Sequence, residues 1–367
     1  MLNTELFVID TPTGHEAEIA QAAALLRAGK LVAFPTETVY GLGGLATSDS
    51  AAKAIYEAKG RPSDNPLIIH IADPAEAEAY AVTSPTYYRL AAQFMPGPLT
   101  VILPKKDNIP YSVTGGLDTV AVRCPAHPVA RALIRATGAP IAAPSANRSG
   151  RPSPTCAAHV REDLWGRVSA IIDGGECEVG LESTIVKLEG DQGILLRPGG
   201  ITPDALSCVC EIKIAPAVTH ALAENERPLS PGMKYRHYAP RAALTLLEGA
   251  EEDVFSFFYM QAKHPGVGIL CYDEELSQLP QGATLFPIGK RNDLETQARR
   301  LFAALREADM QEGLTQLYAH LPPLQGLGLA LYNRCIRAAA HTVKKLTPPI
   351  QKGKDKHGKK EILNAGH

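Results

Sequence analysis

Seven short apolar segments follow one another in the first two hundred residues: LIIHI (67–71), LTVILP (99–104), TVAVR (119–123), PIAAP (140–144), SAIID (169–173), STIVKL (183–188) and GILLRP (193–198). Each is too short for a stable helix, and most are rich in Val, Ile and Thr, so they read as strands. LVAFP (31–35) adds another, stopped by Pro35. Helical periodicity is visible only earlier. AEIAQAAALLRAGK (17–30) has an Ala-rich interior and Gly29 placed to end it, and a second helix runs from a Ser48 or Asp49 cap through Lys59, closed by Gly60 and Pro62. Strands this dense exclude a helical bundle. The sparse helices argue against a strict βαβ array, which leaves a mixed, twisted α/β sheet.

Residues 215–241 break the pattern, with Pro228, Pro231 and Pro240 and no sustained apolar period, and read as a linker. Its middle, SPGMKYRHYAP (230–240), gathers Lys234, Tyr235, Arg236, His237 and Tyr238, side chains a plain spacer does not need. From 242 onward ALTLLEG, a helix near 250–263, GVGILCY, a helix near 292–309 and a last helix near 328–342 give a smaller α/β, Rossmann-like domain. The expected organisation is therefore 1–214, 215–241 and 242–346. Residues 347–367 form a basic tail expected to be disordered, with five Lys against Asp355 and Glu361.

Lys+Arg 37 against Asp+Glu 39 leaves a net charge of −2, so no global field favours nucleic acid or an anionic membrane, and any anion site must be local. The acidic start, MLNTELFVIDTPTGHEAEIA, does not resemble a secretion signal and no stretch is apolar enough to span a bilayer, which points to a cytoplasmic protein. Seven scattered cysteines argue against a disulfide framework and are expected to be buried thiols. The P-loop, the G-x-G-x-x-G fingerprint, the nucleophile elbow and the zincin motif are all absent.

Polar clusters instead gather where strands end. FPTETVYGLG (34–43) presents Thr36, Glu37, Thr38 and Tyr40 before glycines. KGRPSDNPLIIH (59–70) sets Lys59 and Arg61 at a helix end, with Asn65 and His70 beyond. PSANRSGRPSPT (144–155) offers Ser145, Asn147, Arg148, Arg151 and Ser153. Arg123, Ser183, Thr184 and Arg197 stand at further strand ends. A charge ending an apolar strand must reach water or an anion, so these groups together describe a concave anion site. Few carboxylates and no metal-ligand quartet suit a reaction governed by charge neutralisation and positioning, such as nucleotidyl transfer, with Mg²⁺ arriving on the nucleotide.

FPTETVYGLG, the Lys59-x-Arg61 pair and Ser145-x-Asn147 resemble the KxR and SxN motifs of the YrdC-like family. SPGMKYRHYAP followed by an α/β domain resembles its longer, two-domain L-threonylcarbamoyladenylate synthases, over roughly residues 1–345. The resemblance implies that L-threonine, bicarbonate or CO2, and ATP give L-threonylcarbamoyl-AMP and pyrophosphate. The product serves a downstream tRNA threonylcarbamoyl transferase. It implies that Thr38, His70, Arg123, Ser183 and the backbone at Ala143 hold threonine. Arg61, Asn65, Thr119, Ser145, Ser153 and Arg197 would hold ATP. Lys59 would neutralise charge as the carbamate attacks the α-phosphate, with Lys59 and Arg61 the catalytic pair. His237, and with it Tyr238, would reach over the nucleotide from a linker acting as a lid. Two alternatives stay open at this point: a carbamoyl-transfer enzyme of the same fold, and an RNA-binding module whose cleft grips phosphates, including weak contact with tRNA.

Overall fold

The computed structural model describes residues 2–220, 228–231 and 238–346. His237 and the basic tail therefore lie outside the described residues.

The first sheet is built from β1 (Glu5–Val8), β2 (Val32–Phe34), β3 (Gly41–Leu45), β4 (Ile68–His70), β5 (Leu99–Pro104), β6 (Thr119–Arg123), β7 (Ile141–Ala142), β8 (Ala170–Asp173), β9 (Thr184–Glu189), β10 (Gln192–Arg197) and β11 (Ile212–Ile214). Its order is β1-β8-β2-β3-β7-β4-β6-β5-β9-β10-β11, mixing parallel and antiparallel neighbours. A second, all-parallel sheet holds β12 (Ala243–Glu248), β13 (Val267–Cys271), β14 (Thr284–Pro287), β15 (Gln316–His320) and β16 (Val343–Lys345), ordered β14-β13-β15-β12-β16. The molecule is thus a mixed α/β protein with a second, parallel α/β layer. No helix among the described residues is long and apolar enough to cross a membrane.

Strand alternation decides what each face of the first sheet carries. Ala33, Ile69, Val101, Val122, Ala142 and Val186 join one apolar cluster. On the opposite face Val32, Phe34, Ile141 and Ile172 form a second, and Ile68, Ile102, Ala121 and Ile185 a third. The functional groups lie on this divided face.

Helices that the apolar pattern alone did not separate from loops, Pro85–Phe94, Pro128–Thr137 and Ala157–Leu164, cover the sheet. The first two carry proline in the first turn, where its missing N–H costs nothing. Ser48 caps the helix Asp49–Lys59 by accepting from the Ala51 amide at 3.2 Å, and Gly60 closes it at φ +62°. The glycines at 41–44 belong to strand β3. A Cβ on Gly43 would lie 2.8 Å from Ile141 and 2.9 Å from Phe34, so bare backbone is what fits between them. The cysteine expectation needs one correction: Cys208 is exposed and Cys156 half-buried, the other five being buried thiols.

Candidate active site

Register brings the strand-end groups to one edge of the sheet. β4 and β6 run parallel with His70 opposite Arg123, and antiparallel β5 sets Thr100 opposite the same Arg123. β9 runs parallel to β5 from Leu99↔Thr184, so Ser183 enters beside Thr100, and their hydroxyls are 2.7 Å apart. Arg197, ending β10, folds back to donate to the Ser183 carbonyl at 3.0 Å and hydroxyl at 3.1 Å. Five strand termini thus converge on a cavity with about 600 Å³ of space, open mouth included.

Of the residues expected at the site, Arg61, His70, Arg123, Ala143, Ser145, Ser153, Ser183 and Arg197 line this cavity, as does Tyr238 from the linker. Thr38, Lys59, Asn65 and Thr119 do not. Thr38 is buried behind the wall, 2.9 Å from the Thr36 hydroxyl, and it is Thr36 that faces inward. Lys59 lies beneath the floor, donating to the carbonyls of Ser145 and Asn147 and, at 3.3 Å, to the Asn147 Oδ1. It therefore shapes the Ser145-x-Asn147 loop rather than facing the cavity. Thr119 shares a face of β6 with Ala121 and Arg123 but stands at the strand's far end.

The end of the cavity at Arg123 suits a carboxylate. A Glu37 oxygen accepts from Arg123 Nη2 at 2.7 Å, and both side chains are almost fully buried. The Arg123 Nε, also buried, has no hydrogen-bonding partner. His70 is held neutral: burial first, and the neighbouring Arg123 charge second, push its pKa down to about 3. The other end follows the face of β4 to Ile68 and on to Arg61, which donates to the carbonyls of Asn65 at 3.4 Å and Pro66 at 3.1 Å. Asn65 is 1% exposed, yet neither its carboxamide nitrogen nor its oxygen has a hydrogen-bonding partner. A buried amide in that state costs stability unless a ligand uses it. Opposite, the Ser145 hydroxyl donates to Asn147 Oδ1 at 2.5 Å. Burial lowers the Arg197 pKa to about 10, which leaves it a cation at neutral pH.

Two buried carboxylates were given no role from the sequence. Glu37 stood only among the polar residues of FPTETVYGLG, and its pairing with Arg123 spans 86 residues. Glu182, a buried carboxylate lining the cavity, was passed over although it directly precedes the strand that supplies Ser183.

The buried imidazoles carry a stability prediction. Burial, before any other cause, also lowers His159, to about 4. Unfolded histidines titrate near 6.5, so between about pH 4 and 6.5 the unfolded chain binds protons that the folded chain refuses. Stability contributed by His70 and His159 is full above this window and is lost as pH falls through it, at up to ~1.4 kcal/mol per pH unit for each. The urea midpoint is expected to hold near pH 7.5 and to fall progressively from about pH 6.5 to 4.5, and a constant midpoint across that lower range would contradict the burial of neutral imidazoles.

The mixed first sheet, its polar cavity at converging strand ends and the appended parallel domain together define a YrdC-like α/β protein of the two-domain kind. A protein-family model described as "Telomere recombination" matches residues 24–199, and one described as "Threonylcarbamoyl-AMP synthase, C-terminal domain" matches residues 201–340. Threonylcarbamoyl-AMP synthase of Bacillus subtilis is 48% identical over 342 residues, covering 92% of this chain and 97% of that protein. The enzyme of the same name from Pyrococcus abyssi is 46% identical, over 90% and 97%. The crystal structure of P. abyssi Sua5 complexed with L-threonine aligns with a TM-score of 0.85 at 44% identity, covering 94% of this chain and all of that one. The chain belongs to the threonylcarbamoyl-AMP synthase family.

Proposed function

We propose that this cavity joins L-threonine, CO2 from bicarbonate, and ATP into L-threonylcarbamoyl-AMP and pyrophosphate. The observation that carries the reading is its two-ended chemistry, with Arg123 beside neutral His70 at one end and Arg61 and Ser145 at the other. Threonine's carboxylate pairs with Arg123, and Ser183 and the backbone at Ala143 fix its orientation. The threonine amine attacks CO2 and releases a proton, and a carbamate oxygen then attacks the α-phosphorus. The bond from that phosphorus to the bridging oxygen breaks, and pyrophosphate leaves with the electron pair.

Arg61, Asn65, Thr119, Ser145, Ser153 and Arg197 hold the nucleotide, and Arg61 meets the developing negative charge. Lys59 serves the same end from below by fixing the Ser145-x-Asn147 loop. In this reading Mg²⁺ rides on the phosphates, where it shields their charge. In this reading residues 1–214 form the catalytic unit, 215–241 a lid whose His237 and Tyr238 cover the nucleotide, and 242–346 the domain that anchors it. Excluding water would protect both the carbamate and the acyl-adenylate. The product passes to a tRNA threonylcarbamoyl transferase in the cytoplasm.

The test is pyrophosphate release with L-threonine, bicarbonate and ATP, each omitted in turn. Release is expected to need all three and to drop by about a hundredfold or more in Arg61→Ala, the scale of losing one charged donor to a transition state. Release indifferent to threonine would sink the reading.

A further inference from the structure

Glu182 is an odd residue for a site that takes a polyanion. Its carboxylate lines the cavity among Ser153, Ser183 and Arg197. One oxygen accepts from the Ser153 hydroxyl, and the other accepts from Arg334 Nε at 2.8 Å. Arg334 lies in the helix Gly328–Ala338 of the second domain and is fully buried. Its guanidinium also donates to the Glu182 carbonyl at 3.2 Å and the Pro198 carbonyl at 2.8 Å. It therefore ties together the entry to β9, which bears Ser183, and the exit of β10, which bears Arg197. A second buried arginine, Arg306 in the helix Leu294–Met310, donates to the Pro152 carbonyl at 2.6 Å, one residue before Ser153, and pairs with Asp163. The Tyr238 ring packs 5.0 Å from Phe302 in that helix, and Arg334 lies 5.9 Å from the same ring.

We propose that Arg334 is a positioning residue for ATP, supplied by the second domain from behind the cavity wall. It cancels the Glu182 charge that would otherwise repel the phosphates and aims the Ser153 hydroxyl through that carboxylate. Burial alone would raise the Glu182 pKa, but the charges of Arg334 and Arg197 and the Ser153 hydroxyl outweigh it, so Glu182 remains an anion needing its counter-charge. The second domain then supports the wall of the binding site and is more than an anchor for the linker. The inference rests on the proposed ATP site.

Calorimetric titration with ATP and MgCl2 tests it in the full chain, comparing wild type, Arg334→Met, Glu182→Gln and the double variant. Arg334→Met is expected to weaken ATP binding by roughly tenfold or more, the scale of one uncompensated buried charge. Adding Glu182→Gln should bring affinity back to within about threefold of Glu182→Gln alone. A merely structural role predicts no such rescue, because the second substitution does not restore the link between domains. Arg334→Met binding like wild type, or a double variant as weak as Arg334→Met, overturns the proposal. Should Arg334→Met fail to fold by circular dichroism, the double variant and Arg334→Lys decide. Arg334→Lys is expected to bind ATP within about threefold of wild type and the double variant within about threefold of Glu182→Gln, and a double variant tenfold weaker than Glu182→Gln overturns the charge account. Wild type that binds no ATP removes the site reading itself, whereas wild-type binding indifferent to Arg334 removes this inference alone.

Discussion

Arg123→Gln is expected to raise the L-threonine concentration for half-maximal pyrophosphate release by about a hundredfold or more, because cutting one member of a buried charge pair costs roughly 2–5 kcal/mol. The buried guanidinium is already committed to Glu37 at 2.7 Å while its Nε stays unpartnered, so it can engage an incoming carboxylate without leaving its counter-charge. The effect should fall on threonine, since His70 beside it is neutral and cannot substitute as a cation. Removing Arg123 also strands Glu37, whose second oxygen accepts from the Ala126 amide at 3.1 Å. Arg123→Gln with Glu37→Gln therefore separates folding from recognition: the pair should recover thermal stability and leave threonine use impaired. Threonine titrations at saturating ATP measure the first part and thermal melts the second. A half-saturating threonine concentration within threefold of wild type would remove Arg123 from the substrate site.

The second large effect is expected at Lys59. Lys59→Met leaves the carbonyls of Ser145 and Asn147 without their buried donor, and each orphaned group costs about 1–3 kcal/mol. The ammonium is fully enclosed, and burial, reinforced by the charge of Arg61, drives its pKa well below the usual lysine range. Its work is done at hydrogen-bonding distance from backbone, so loss of turnover should come with a lower melting temperature and weaker ATP binding. A Lys59 that acted on the reacting phosphate alone would instead lower turnover by decades at unchanged melting temperature. Melting curves beside single-turnover rates distinguish the two outcomes.

Eight strands of the first sheet were legible because they are short apolar runs cut off by proline, glycine or charge, whereas β1, β3 and β11 carry no such signal, and the second helix was legible because Ser48 and Gly60 mark its ends. The resemblance carried by KxR and SxN pointed to most of the residues that line the cavity. What sequence hid was pairing at distance. Nothing in TVAVR says that Arg123 faces His70, since the register is set by strands contributed from 50 residues away. The glycines of β3 carry no strand signal, and only packing against Phe34 and Ile141 shows why bare backbone stands there. Asn65 was named through the resemblance alone, and nothing in its loop sequence shows that its amide is buried without a hydrogen-bonding partner. Glu182 and Arg334 were invisible as a pair because 152 residues separate them.

That separation has a consequence during synthesis. Domains fold in the order in which they leave the ribosome, and all strands of the first sheet are made long before Arg334. A nascent chain can thus complete the fold around the cavity while Glu182 still lacks its cation, and it gains full affinity for nucleotide only when one of the last helices emerges. Chains truncated before that helix would carry a formed but weakly binding cleft, so that prematurely ended copies consume little ATP.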